Sequence, residues 1–279
     1  MRRRLLAITA GGAVIAGLVY VATFASPQTH PLPATLPHVF RHPPAKRYFP
    51  STLESPDPGA EIRAMHAQGI TGRGVGIAIL DSFLLTTHEE FAGRLRWYDE
   101  IDAAPDDPAQ WHGTAVASIA AGRKCGVAPE ADLYFVGLGA NWRGQPIEDW
   151  FLAARRFFTT RNRVATGIRR VLALNRSLPA GRKIRVISMS VGLGQPLFGD
   201  AKTREAMEEA RREGLFVSTI DLKLKPAGPL VAAGPEGPHA YTRYAVPAGS
   251  WAIARCAGRY ALEVQRDPSI TPDRFVAKR

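Results

Sequence analysis

Four short apolar runs recur along the chain: residues 75–80 (VGIAIL), 131–136 (ADLYFV), 185–190 (RVISMS) and 215–220 (LFVSTI). Continuous runs of this length, bounded by turn and polar residues, are the pattern of strands buried on both faces. Gly72 and Gly74 open the first run and Asp81 closes it. Between the runs, apolar positions recur at helical spacing over residues 113–122, 148–176 and 202–213, and a further small-residue helix follows Ser250. Strands alternating with helices predict an α/β fold, a mostly parallel sheet with helices on both faces. The site of such a sheet lies at the carboxyl ends of its strands, and Asp81 occupies one of them.

The first 58 residues have a different pattern. Arg2, Arg3 and Arg4 precede residues 5–25, an uncharged stretch of 21 residues. This is an export signal, long enough to remain as a membrane anchor, with Thr23 and Ala25 placed to accept a signal peptidase. The arginines stay cytoplasmic and the chain beyond residue 26 crosses the membrane, so the expected location is extracytoplasmic, anchored or secreted. Residues 26–58 are dense in proline, without period 2 or 3.6, and read as an extended linker. The expected division is therefore 1–25 signal or anchor, 26–58 linker and 59–279 globular domain.

Charge sharpens the choice of partner. The net charge is +11, and residues 155–185 hold ten Lys and Arg with no acidic residue from 151 to 187. The apolar positions Trp150, Phe151, Ala154, Phe157 and Phe158, then Val164, Ile168, Val171 and Leu172, suggest two amphipathic helices with solvated arginine faces. The functional alternative for this region is a basic surface lying on lipid phosphates. Nucleic acid is not expected as a partner, because export removes the chain from it. Two cysteines exclude a disulfide-dense scaffold, and no Cys/His cluster has zinc spacing. A disulfide between Cys125 and Cys256 and a pair of buried thiols both fit the sequence.

Three residues carry candidate chemistry. Asp81 closes a strand, His112 starts the small-residue helix of WHGTAVASIAAG, and Ser250 starts that of AGSWAIARCAG. A serine at a helix N-terminus offers its Oγ and its own N–H where the dipole favours an oxyanion, although an N-capping serine looks the same. TGRGVG (residues 71–76) is not a dinucleotide loop, because its glycines precede the strand; it reads as a turn.

In the order Asp, His, Ser, these segments resemble those of the subtilisin-like serine peptidases. GITGRGVGIAILDS is similar to the family's Asp segment, WHGTAVASIAAG with CGVAPEADLYFV to its His segment and following strand, VISMSVG to its substrate-binding strand, and GSWAIARCAG to its Ser segment. The resemblance covers roughly residues 60–279 and implies a serine endopeptidase. Ser250 would attack the scissile carbonyl, His112 would act as base and then acid, and Asp81 would orient the imidazole. Ser190, Val191 and Gly192 would bind a protein or peptide substrate as an added strand. No cofactor is expected; calcium occurs in the family, but no site for it is traceable in this sequence.

The departures are specific. Phe83 replaces the glycine of the family's D-[ST]-G, which places a bulky group close to the site. Gly249 directly precedes Ser250, and Ala254 stands where the family has proline. Asp221, Leu222 and Lys223 stand where the family has G-N, whose Asn donates to the oxyanion. Losing that donor lowers the rate by about 10² to 10³. Between the signal and Gly72 no folding prodomain of the family's kind is expected. The competing functions are a catalytically degenerate peptide-binding protein of the same fold and a basic envelope-binding module.

Overall fold

The computed structural model describes residues 49–50, 58–103, 109–139, 150–190, 201–222, 224, 230–233, 239, 241–244 and 249–277. Strands β1 (Phe49–Pro50), β2 (Gly76–Asp81), β3 (Leu95–Ile101), β4 (Asp132–Leu138), β5 (Ile184–Met189), β6 (Phe216–Ser218), β7 (Leu230–Ala233) and β8 (Tyr241–Tyr244) alternate with helices. The helices are α1 (Ala60–Ala67), α2 (Trp111–Ala121), α3 (Trp150–Ser177), α4 (Ala201–Arg212), α5 (Gly249–Arg266) and α6 (Pro272–Ala277).

The main sheet has the order β3-β4-β2-β5-β6, and every pairing in it is parallel. Its central strand β2 is buried along its whole length. Its side chains alternate between two cores, as the pleat requires. Ile77 and Ile79 pack with residues of α2, α5 and α6, whereas Ala78 and Leu80 pack with Val164, Ile168 and Val171 of α3 and Met207 of α4. The four strands expected from the apolar runs are β2, β4, β5 and β6, and the expected α/β architecture with a parallel sheet is present. The turn reading of residues 71–76 also holds, with positive φ at Gly72 (85°) and Gly74 (77°).

The fifth main strand, β3, was not legible. It is an edge strand whose residues are mostly half-buried, and its charges are satisfied across the surface by Arg96–Asp132 (2.5 Å) and Arg170–Asp99 (2.7 Å). The small antiparallel sheet, in the order β1-β8-β7, was also missed. In it Phe49 pairs with Arg243 and Pro50 with Thr242, so ordered pairing reaches back into the proline-rich span.

The arginine-rich region corrects the sequence reading in two ways. Residues 150–177 form one helix of 28 residues, not two. The polar stretch TTRNR interrupts the apolar stripe but contains no Pro or Gly to break the backbone. Gly167 serves close approach rather than a break, because a Cβ there would lie 2.9 Å from Leu80 Cδ2. The described arginines of this helix are also paired with acids, although Arg169 and Arg176 keep 41% and 64% of their side chains exposed. Arg163, 5% exposed, pairs with Asp102; Arg169 pairs with Glu205 (3.0 Å) and Glu209 (2.9 Å), and Arg176 with Glu213. The acids missing from this stretch of chain come from its neighbours in space.

Cys125 and Cys256 are both buried and not joined by a disulfide. The Cys125 thiol donates to the buried Glu90 carboxylate at 3.4 Å. Among the described residues no helix is long and apolar enough to cross a membrane. The uncharged run at residues 5–25 lies outside them.

Candidate active site

Asp81 ends β2 in the middle of the sheet and is 8% exposed. Its Oδ1 accepts from Ser82 N (2.7 Å), Ser82 Oγ (3.1 Å) and His112 Nδ1 (2.7 Å). An ionised carboxylate only accepts, so Nδ1 carries the proton and Nε2 keeps its lone pair. This is the arrangement a general base needs.

The segments bearing Asp81 and His112 are stitched together beyond that bond. Gly113 N donates to Ser82 Oγ at 2.9 Å, and Gln110 N donates to the Phe83 carbonyl at 2.7 Å. Thr114 Oγ1 accepts from Leu85 N and donates to the Gln110 carbonyl, both at 3.0 Å. Position 113 has to be glycine, because a Cβ there would lie 1.9 Å from the Ser82 carbonyl oxygen. The H-G-T sequence is thus a docking device that fixes the start of α2 against the end of β2.

Phe83 does not crowd this site. Its side chain is 2% exposed and turns into the core over Gly137, where a Cβ would lie 2.5 Å from Phe83 Cδ1. The missing side chain at 137 accommodates the extra one at 83.

Ser250 is the second residue of α5 and half-buried. Its position follows from how α2 and α5 pack. At their starts, the Trp251 ring lies 5.4 Å from the His112 ring. Seven residues beyond Trp251 and eight beyond His112, a Cβ on Gly258 would lie 2.7 Å from the Ala120 carbonyl. The helices therefore run parallel for about 10 to 12 Å, which puts His112 and Ser250 at the same end of the sheet. Among the described residues no hydrogen bond joins these two. Small residues make the approach feasible, with Ala117, Ala121, Ala254, Ala257 and Ala261 all buried.

Leu80 lies opposite Met189 in the register, so Ser190 follows β5 at the same sheet end as Asp81. Val191 and Gly192 lie outside the described residues. The turn at Ile220–Leu222 reaches the start of α5 from the other side: Ile220 Cγ1 is 3.9 Å from where a Cβ on Gly249 would stand, and Ser218 Oγ donates to the Ile253 carbonyl at 3.1 Å. Asp221 in that turn is exposed. Lys223 lies outside the described residues.

Burial is the largest influence on the His112 ring and disfavours its charged form. The hydrogen bond and charge of Asp81 together outweigh it, so the pKa lies above the ordinary histidine value. The sequence reading missed Ser82, which ties both segments to Asp81, and the indoles of Trp111 and Trp251 around His112. Their adjacency in sequence to His112 and Ser250 was the available signal. Among the described residues no group of three His, Cys, Asp or Glu side chains is placed to hold a metal ion.

Residues 72–264 match the model of the Subtilase family (Peptidase_S8). The chain is 29% identical over 218 residues to the subtilisin-like protease PopC of Myxococcus xanthus, covering 68% of this chain and 43% of PopC. It is 33% identical over 100 residues to the Aeromonas extracellular serine protease of Aeromonas sobria, covering 32% of this chain and 16% of that protein. The chain thus spans less than half the length of either relative. The crystal structure of a cold-adapted subtilisin-like serine proteinase superposes with a TM-score of 0.55 at 20% identity, covering 74% of this chain and 81% of the other.

Proposed function

The chain belongs to the subtilase family, and from that premise we propose that it is an exported serine endopeptidase working through Ser250, His112 and Asp81. The observation that carries this reading is the 2.7 Å hydrogen bond from His112 Nδ1 to Asp81. It leaves Nε2 free to take the Ser250 proton as Oγ attacks the scissile carbonyl and to return that proton to the leaving amine. The Ser250 N–H donates to the developing oxyanion at the start of α5. The peptide lies extended beside Ser190, Val191 and Gly192, as an added strand at the end of β5.

Residues 1–25 direct export, residues 26–58 are the linker, within which Phe49–Pro50 pairs with β8, and residues 59–279 form the peptidase domain. The extracellular naming of the Aeromonas relative supports a site of action outside the cytoplasm. Mass spectrometry of the mature protein checks the topology: an intact N-terminus marks the tethered form, and a new one near Ser26 the secreted form.

An organophosphonate probe tests the nucleophile. Wild type is labelled and Ser250→Ala is not; equal labelling of both, or of neither at high probe excess, overturns the peptidase reading. The exposed Asp221 favours a second reading, because an ionised carboxylate repels an oxyanion where the family has a donor. On that reading the same groove binds extended peptides without turnover, and labelling is absent while peptide binding persists.

A further inference from the structure

A single hydrogen bond does not fix an imidazole, which can still swing about the line from Nδ1 to the Asp81 carboxylate. Among the described residues, the ring of His112 also meets two aromatic side chains. Trp251 lies 5.4 Å away with its plane tilted by 31°. Trp111 lies 5.1 Å away and edge-on, at 79°. The two indoles meet each other at 6.1 Å, closing a corner around the ring. Trp251 is only 4% exposed, so the core holds it in place. It also follows Ser250 directly, so the helix that carries the nucleophile carries the wall against which its base rests.

We propose that Trp251, together with Trp111, is a positioning residue for this reaction: the indoles clamp the His112 ring in its Asp81-bonded orientation and stabilise the imidazolium formed when Ser250 gives up its proton. The inference rests on the peptidase reading. In the step concerned, the Oγ–H bond breaks, its proton moves to Nε2, and the oxygen electron pair forms the bond to the carbonyl carbon. The ring becomes a cation 5.4 Å from the indole of Trp251, within the reach of a cation–π contact. Of the described charged groups, Asp81 on β2 acts on the ring. On α5, Arg255 is turned to the Pro58 carbonyl at 2.6 Å.

The alternative role for Trp251 is to exclude water only, and the two roles differ in sign. Losing a cation–π partner lowers the His112 pKa, whereas admitting water to a buried ring raises it. The test is an NMR titration of the His112 Cε1–H signal in the full chain, assigned by its absence in His112→Ala, for wild type, Trp251→Phe and Trp251→Leu. We expect Trp251→Leu to lower the pKa by about half a unit and Trp251→Phe, which keeps a π face, to restore most of it. The acid-side limb of kcat/KM should move with the titration, because His112 acts as the base in its neutral form. Trp111→Leu, at the half-exposed member of the pair, is the second variant if Trp251→Leu does not fold; it removes the edge-on contact that holds the ring to Asp81, and so lowers the pKa in the same direction. An unchanged or raised pKa in the folded Leu variants overturns the clamp. The titration needs no turnover, so loss of Ser250 labelling overturns the peptidase reading separately, without mimicking failure of the clamp.

Discussion

The two halves of the candidate site are built to different standards. The half bearing Asp81 and His112 is dense: three donors converge on one carboxylate oxygen, and Ser82, Gly113, Thr114 and Gln110 bind the end of β2 to the start of α2. The half bearing Ser250 is open. Gly249 is exposed, Ile220 beside it is 45% exposed, and Asp221 faces solvent. The proton-handling side is thus preorganised by secondary-structure docking. The side proposed to hold the oxyanion offers the Ser250 N–H at a helix terminus, with the exposed Asp221 in the turn beside it.

The largest test of this contrast is Asp81→Asn. It keeps the shape of the site but reverses the bond that sets the imidazole tautomer, and should lower kcat on a peptide ester by about 10⁴. A loss of less than about tenfold would show that His112 is oriented by other groups.

The next largest is a pair of glycine substitutions. Gly113→Ala places a Cβ 1.9 Å from the Ser82 carbonyl and forces α2 off β2. It should cost about 1 to 3 kcal/mol in denaturant unfolding and abolish organophosphonate labelling. At Gly249 a Cβ would meet only Ile220 Cγ1, at an ordinary 3.9 Å. Gly249→Ala should therefore be neutral or stabilising by up to about 1 kcal/mol. Equal losses from the two would remove the distinction between the halves.

On the open side, Asn at the turn should help. Asp221→Asn removes a repelling charge and supplies a donor, and should raise kcat on a peptide ester by on the order of tenfold with little change in KM. An unchanged rate with labelling intact in Asp221→Asn, and also in Lys223→Asn, would show that another group already fills the hole.

The smallest effect is on stability against pH. The folded His112 pKa lies above its ordinary value. Its stabilising contribution is therefore complete below the unfolded pKa, near 6.5, and is lost as pH rises through the folded value. The Tm advantage of wild type over His112→Gln should be largest near pH 5 and shrink on the alkaline side. An advantage that grows with pH would contradict the direction of the shift.

Much of the fold was legible because apolar runs and helical spacing report burial directly. Strands β2, β4, β5 and β6 are covered on both faces, and such strands announce themselves as continuous apolar runs. Strand β3 does not, since its exposed edge tolerates Arg96, Asp99 and Glu100. The small sheet was hidden in the same way by strands of two to four residues. Of the site, Asp81 and His112 were found through their places at a strand end and a helix start, and the structure brings them into contact.

The sequence by itself determined the alternation of strands and helices, the parallel sheet that such alternation builds, and the placement of Asp81, His112 and Ser250 at element ends. These are properties of local pattern: burial periodicity and the residues that start and stop elements. Only the tertiary structure decided where side chains from distant segments meet. It turned Phe83 inward over Gly137, paired Arg163, Arg169 and Arg176 with acids from other segments, and stood Trp111 and Trp251 against His112. The physical reason is that close packing and charge neutralisation are settled between elements, by volumes and partners that no single stretch of chain contains.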